Sequence, residues 1–226
     1  MRELISESPR HGDRGLNNVS VRGLGGPVLA ISREPGSRSP SIARALARQL
    51  DWPLYDTEAL GYLLAKSDQS DDIMDRLDID QRTWVEEHLG QLRHLHGGAD
   101  TTMLSLARLV LGLACPGRVV FLGSGAGFLV PRLSVLHVGI VGRRDERLAE
   151  IQQTRRLTPV VAASQLAAEE ERRHEFLHRL TGAEFAQPDA YDLMINSSSL
   201  GEETCVLLTM AAMRNRFADI PFAVCP

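Results

Sequence analysis

"ISREPGSRSPSIARALARQLDWPLYD", residues 31–56, runs from the end of a short apolar strand through a turn of Gly, Ser, Arg and Pro into a helix, then into a second strand. The order strand, glycine turn, helix aims several backbone N–H groups and the positive end of a helix dipole at one point, which is how a phosphate is held. Upstream, "PVLAIS" (27–32) is a continuous apolar run ended by polar residues, the pattern of a parallel strand buried on both faces. Downstream, Ile42, Leu46 and Leu50 recur at helical spacing with Ala43 and Ala47 beside them. Ser39 is placed to cap that helix, with Pro40 as its first residue. Of the phosphate-loop pattern G-x-x-x-x-G-K-[ST] only Gly36, Ser37, Ser39 and Ser41 stand, and the lysine is missing. The only lysine of the chain is Lys66, so a lysine-based mechanism has Lys66 or nothing.

Strand and helix signals alternate along the rest of the chain. "PLYD" (53–56) reads as a second strand, followed by a helix from about Thr57 to Lys66 that "SDQSDD" breaks. Two or three helical segments then fill residues 71–115, interrupted at "HGG" (96–98). "RVVFLGSGAG" (118–127) is a strand and a glycine-rich turn, and "VLHVGIVG" (135–142) is another strand. An arginine-rich helical stretch runs from Arg143 to about Leu180, then "YDLMINSSS" supplies a last strand and "GEETCVLLTMAAMRNRF" a last helix. Strands separated by helices predict a parallel α/β sheet.

Composition narrows the classes. At 226 residues and 43% hydrophobic, the chain can bury one sizeable core. A net charge of -4 disfavours general nucleic-acid binding, which draws its affinity from clustered cations. Cys115, Cys205 and Cys225 are odd in number and far apart, which suits a reducing compartment, and the cytoplasm is the expected location. The longest apolar stretch, "MLSLARLVLGLAC", is too short to span a bilayer and contains Arg108; its apolar face reads as core or as a homodimer contact. Residues 1–25 read as a flexible extension before a single domain over 26–226. His88, His94 and His96 read as surface-helix residues and His137 as a satisfied core histidine, and no set of side chains has metal-ligand spacing.

The run "ISRE.GS....IA..LA..L..P.YD.E.L" resembles the opening of the cytidylate kinase-like family of P-loop proteins. "VFLGSGAGFLVPRLSVLHVGIVGRRDERLAEI" and "RRHEFLHRLTGAEFAQPDAYDLMINSS" are similar to later parts of the same family, in the same order. The resemblance covers roughly residues 27–215. It implies a P-loop kinase-type parallel sheet flanked by helices, with a helical acceptor-binding region and a mobile Arg-rich lid over about 143–180. It also implies ATP and Mg²⁺ as cofactors, and a nucleotide or related small phosphate as acceptor.

Carried onto this chain, the resemblance assigns the donor phosphates to Arg33, Gly36, Ser37, Arg38, Ser39 and Ser41. It assigns the acceptor to Asp56, Thr57, Gly123, Ser124 and Gly125, and closure over the transferring phosphoryl group to Arg147, Arg172 and Arg173. Asp56 also stands where it would cap the following helix. Two departures count against turnover. Ser39 takes the lysine slot, next to a Pro40 that has no N–H, and Ser124–Gly125 replace the acceptor arginine and aspartate. Arg38 or Arg33 then stands as the substitute cation, since a guanidinium recognises phosphate as a fork. The alternative reading is a pseudokinase that binds a nucleotide or a protein partner without transferring a phosphoryl group.

Overall fold

The computed structural model describes residues 24–95, 101–181 and 188–218. Five strands form one parallel sheet in the order β2-β3-β1-β4-β5: Val28–Arg33 (β1), Leu54–Asp56 (β2), Val119–Leu122 (β3), Val135–Val141 (β4) and Leu193–Asn196 (β5). β1 lies at the centre, with Val28 beside Val119 on one side and beside Val135 on the other. Central parallel strands bury both faces, and side chains alternate between them. Accordingly Val28 and Ala30 of β1 enter one apolar cluster, while Leu29 and Ile31 enter the other.

The helices are Ser39–Leu50 (α1), Thr57–Ala65 (α2), Ser67–Asp75 (α3), Ile79–Leu95 (α4), Thr101–Ala114 (α5), Ala126–Leu129 (α6), Arg144–Arg155 (α7), Pro159–Thr181 (α8) and Ser197–Arg216 (α9). The first cluster joins the sheet to α4 and α5, whose Leu89, Leu109, Val110 and Leu111 are buried; the second joins it to α1 and α9 through Ile42, Leu46, Met210 and Met213. Among the described residues no helix is long and apolar enough to cross a membrane.

The predicted strands and most helices lie where the periodicity puts them, and the differences have local causes. Helix α1 starts one residue early: Arg38, left-handed at φ 56, is the N-cap, so Ser39 lies inside the first turn and caps nothing. "SDQSDD" does not break the helical pattern; the chain leaves the helix only at Lys66 and re-enters at Ser67, so those residues open α3. His88 is not on a surface. It is 1% exposed, one ring nitrogen bonds the Trp84 carbonyl at 2.8 Å, and burial lowers its pKa. His96, "HGG" (96–98) and residues 1–23 of the expected flexible extension lie outside the described residues.

His137, in β4, is the satisfied core histidine the sequence suggests. Its Nε2 lies 2.9 Å from Ser32 Oγ and its Nδ1 3.2 Å from the Ala190 carbonyl, with Phe128 edge-on to the ring. Desolvation by burial pushes its pKa from 6.5 down to about 3, against the Ala190 hydrogen bond. The unfolded chain therefore binds a proton that the folded chain refuses between those two values. This stabilisation is fully present above pH 6.5 and is lost as pH falls towards about 3. Urea denaturation at pH 7, 5 and 4 should show stability falling by up to about 1.4 kcal/mol per pH unit from this group. A His137→Phe variant should show a visibly shallower slope, whatever its absolute stability.

Candidate functional site

Ligands of open parallel sheets collect beyond the carboxyl ends of the strands, and a cavity of about 490 Å³ lies there. β1 delivers Ser32 and Arg33, the turn after β3 delivers Gly123, Ser124 and Gly125, and α2 delivers Thr57, Leu60, Gly61 and Leu64. Helix α8 closes the cavity with Glu169, Arg172, Arg173, Phe176 and Leu177, and α7 and α5 add Arg155 and Leu106. Of the residues assigned from sequence, Arg33, Thr57, Gly123, Ser124, Gly125, Arg172 and Arg173 meet in this one space.

The turn after β3 is tightly built. Gly123, Ser124 and Gly125 have φ of 80, 57 and 68, a left-handed run that only glycine adopts without cost. Ser124 accepts that conformation while its hydroxyl donates to the Gly123 carbonyl at 2.6 Å. A side chain at Gly125 would collide with Leu180, so α8 lies directly against the turn.

Electrostatics in the cavity are dominated by guanidinium groups. Arg155 is held by Glu169, at 2.5 and 3.2 Å to its two carboxylate oxygens. Burial lowers the pKa of Arg33, opposed by Glu169 and Asp56. Burial likewise pushes Arg173 down to about 9, opposed by Tyr191 and Glu34 and reinforced by the nearby charges of Arg33 and Arg147. At neutral pH Arg173 still carries its charge, which burial makes costlier than it is in water.

The other assigned residues lie outside the cavity lining. Asp56 is the N-cap of α2, its side chain accepting from the Ala59 N–H at 2.8 Å. Arg38 points to α7, where it pairs with Glu150 at 3.1 Å while remaining 44% exposed. Ser39 is fully buried, its hydroxyl 2.5 Å from that of Ser37, whose own hydroxyl bonds the Glu34 carbonyl. Lys66 lies at the end of α2 against Tyr62 and does not line the cavity.

Arg147 is buried and acts as a bolt. It pairs with Glu170 at 2.7 Å and Glu34 at 3.3 Å and donates to the carbonyls of Pro35 and Gly142. Its backbone carbonyl lies so close to Gly36, at φ 78, that a Cβ there would overlap it. The N-terminus of α1 nearby has no side-chain cap and no acidic residue in its first turn, so its positive end is not neutralised from within the helix.

Several lining residues escape the sequence reading. Ser32 carries one faint signal, a polar residue closing an apolar strand, and Glu169 and Arg155 read only as part of a charged helical stretch. Leu60, Leu64, Leu106 and Phe176 have the same apolar spacing as true core positions, so periodicity cannot separate a cavity wall from a core.

A parallel sheet with a strand–turn–helix at its centre and an arginine-lined cavity at its carboxyl edge defines an α/β protein of the P-loop kinase type. A model of the cytidylate kinase-like family matches residues 28–199, and the chain belongs to that family. Among solved structures, an uncharacterized protein from Eubacterium ventriosum is similar at 14% identity, with 84% of this chain and 98% of that chain covered and a TM-score of 0.58. A shikimate kinase from Bacteroides thetaiotaomicron aligns at 13% identity over 83% of this chain and 98% of that one, with a TM-score of 0.46. A uronate isomerase of Corynebacterium glutamicum is 27% identical over 110 residues, 49% of this chain. The match takes in only 21% of that isomerase's length.

The close approach at Gly36 yields a stability test. Gly36→Ala places a Cβ in the left-handed region and against backbone that cannot rotate away, which should cost roughly 2 kcal/mol or more. Gly61→Ala is the control: it is helical with open space around it, so the exchange should stabilise by about 0.5–1 kcal/mol. Urea midpoints of the two variants against the parent chain measure both.

Proposed function

We propose that this chain is an ATP-dependent phosphotransferase of the cytidylate kinase-like type, acting on a small phosphate acceptor held in the cavity between α2, the β3 turn and α8. One observation carries the reading: Arg33, Arg172 and Arg173 converge on one space at the carboxyl edge of the sheet, beside the turn into α1. The donor phosphates take the Gly36–Ser41 turn, where first-turn N–H groups of α1 and the helix dipole favour negative charge. Arg38 stands beside that turn, and its exposed pair with Glu150 is weak enough to exchange for a phosphate. Mg²⁺ would arrive with the nucleotide and keep several waters, with the Ser41 hydroxyl as the loop's ligand; the described residues contain no preformed cluster of acidic or histidine groups to hold it alone.

An acceptor oxygen attacks the terminal phosphorus in line, the bond from that phosphorus to the bridging oxygen breaks, and ADP leaves with the released charge. The protein contributes position and charge. Arg172 and Arg173, on α8, face the oxygens on which charge accumulates, and the apolar wall keeps water from competing as acceptor.

A second reading has its own support. Ser39 in the lysine slot is buried and tied to Ser37, and Arg147 covers Gly36 with its backbone. These features suit a nucleotide-binding or protein-binding module without turnover. Coupled ADP release across a panel of phosphate acceptors, with ATP and Mg²⁺, separates the two. The phosphotransferase reading expects turnover that falls ~10²–10³-fold in Arg173→Ala and is unchanged in Lys66→Ala. ADP release no faster than the acceptor-free background across the panel supports the module.

A further inference from the structure

Beside the cavity, the hydrogen bonds of His137, Ser32 and Tyr191 run in one direction. His137 is neutral near pH 7, since burial holds its pKa down at about 3. Its Nδ1 lies 3.2 Å from the Ala190 carbonyl, which can only accept, so Nδ1 carries the ring proton. Nε2 is then an acceptor, and the Ser32 hydroxyl, 2.9 Å away, donates to it. Ser32 has no second proton. Its hydrogen bond with Tyr191 therefore runs the other way, the phenol donating to Ser32 Oγ. With that proton committed, the Tyr191 oxygen has only lone pairs left to offer.

The packing holds that oxygen in one place. The His137 and Tyr191 rings lie with centroids 4.5 Å apart, and Phe128 stands edge-on to both. A Cβ at Gly127 would fall on the His137 ring and one at Gly139 would press on Tyr191, so both glycines leave the space that the rings fill. Residues 190–192 are fixed to β4 in both directions: the His137 N–H donates to the Asp192 carboxylate at 2.8 Å, and the Asp192 N–H donates to the His137 carbonyl at 2.9 Å.

The neighbour of the phenol oxygen is a cation. Burial pushes Arg173 down to about 9, and Tyr191 is the foremost influence opposing it. Burial pushes the Tyr191 phenol up, and Arg173 is the foremost influence opposing that. Both Ser32 and Arg173 line the cavity, so the chain starts in the sheet and ends at a cavity charge.

We propose that Tyr191 is the positioning residue of Arg173: its oxygen, made a pure acceptor by Ser32 and His137, takes a guanidinium N–H and sets where that charge stands in the cavity. This rests on the phosphotransferase reading, in which Arg173 faces the transferring phosphoryl group, and deepens it by naming what aims that group. The contact itself is present without turnover.

Nitrogen NMR of the full chain tests it. At pH 7 the parent should show the His137 proton on Nδ1 and a slowly exchanging Arg173 guanidinium signal, identified by its loss in Arg173→Lys. Tyr191→Phe keeps the ring and removes only the hydroxyl; it should move that signal and speed its exchange about tenfold, as expected for one lost hydrogen bond to a charged group. Ser32→Ala should move it as well, by releasing the Tyr191 proton. Phe128→Leu disturbs the same packing but no bond of the chain, and should leave the Arg173 signal in place whatever it does to stability. In coupled ADP release, Tyr191→Phe should lower kcat several-fold with KM for ATP unchanged. A ring proton on Nε2, an Arg173 signal that Tyr191→Phe leaves unmoved, or one that Phe128→Leu moves as far, would overturn the proposal. A signal that moves in Tyr191→Phe alone of those two, in a chain with no ADP release, would uphold the positioning role and overturn only the phosphotransferase reading.

Discussion

The guanidinium of Arg147 is the charge around which the carboxyl edge of the sheet is arranged. Its side chain is 6% exposed, and a cation so far from water must be paired and hydrogen-bonded or it destabilises the fold. Its partners come from separate parts of the chain: Glu34 and Pro35 after β1, Gly142 after β4, and Glu170 on α8. Glu34 also accepts the Gly142 N–H at 2.9 Å, so the loops after the two central strands are joined twice. Satisfying one buried charge therefore fixes where the turn into α1, the start of α7 and the middle of α8 lie relative to each other.

That arrangement has an electrostatic consequence. Arg147, held in place, and Arg33 both lie near Arg173, and their repulsion adds to the desolvation that depresses Arg173. Tyr191 and Glu34 compensate only in part. Cations crowded at the edge of a cavity weaken the empty protein and strengthen its grip on an anion, a common exchange at binding sites. The same packing sets a constraint on the turn into α1, because the Arg147 backbone leaves no room for any side chain at Gly36.

Much of the fold was legible because its signals are local. The apolar run of β1, the spacing of Ile42, Leu46 and Leu50, and the strand before Asp56 need no distant partner, and three ordered family stretches pointed to the family and to the glycine turn after β3. What remained hidden depends on contacts across the chain. The resemblance assigns Arg147 to a lid that closes over phosphate; its burial, which the sequence does not signal, comes from Pro35, 112 positions away, and from Glu34 and Glu170. Arg38 reads as a loop cation, but its left-handed backbone and Glu150 turn it towards α7. His88 looks like a surface residue because α4 is polar at many positions, yet its ring lies under Trp84 with centroids 4.1 Å apart. The apolar cavity wall was unreadable for a simpler reason: Leu64 and Leu106 have the same sequence signature whether protein or ligand covers them.

The central claim is that anions converge on the cavity edge beside the α1 turn, and a crystal structure with a non-hydrolysable ATP analogue and Mg²⁺ tests it most directly. The account predicts the terminal phosphate at the Gly36–Ser41 turn, accepting from backbone N–H groups, with the guanidinium groups of Arg172 and Arg173 turned towards it across the cavity. A nucleotide bound elsewhere on the protein, with Arg147 still seated on Gly36 and the cavity without an anion, would contradict it.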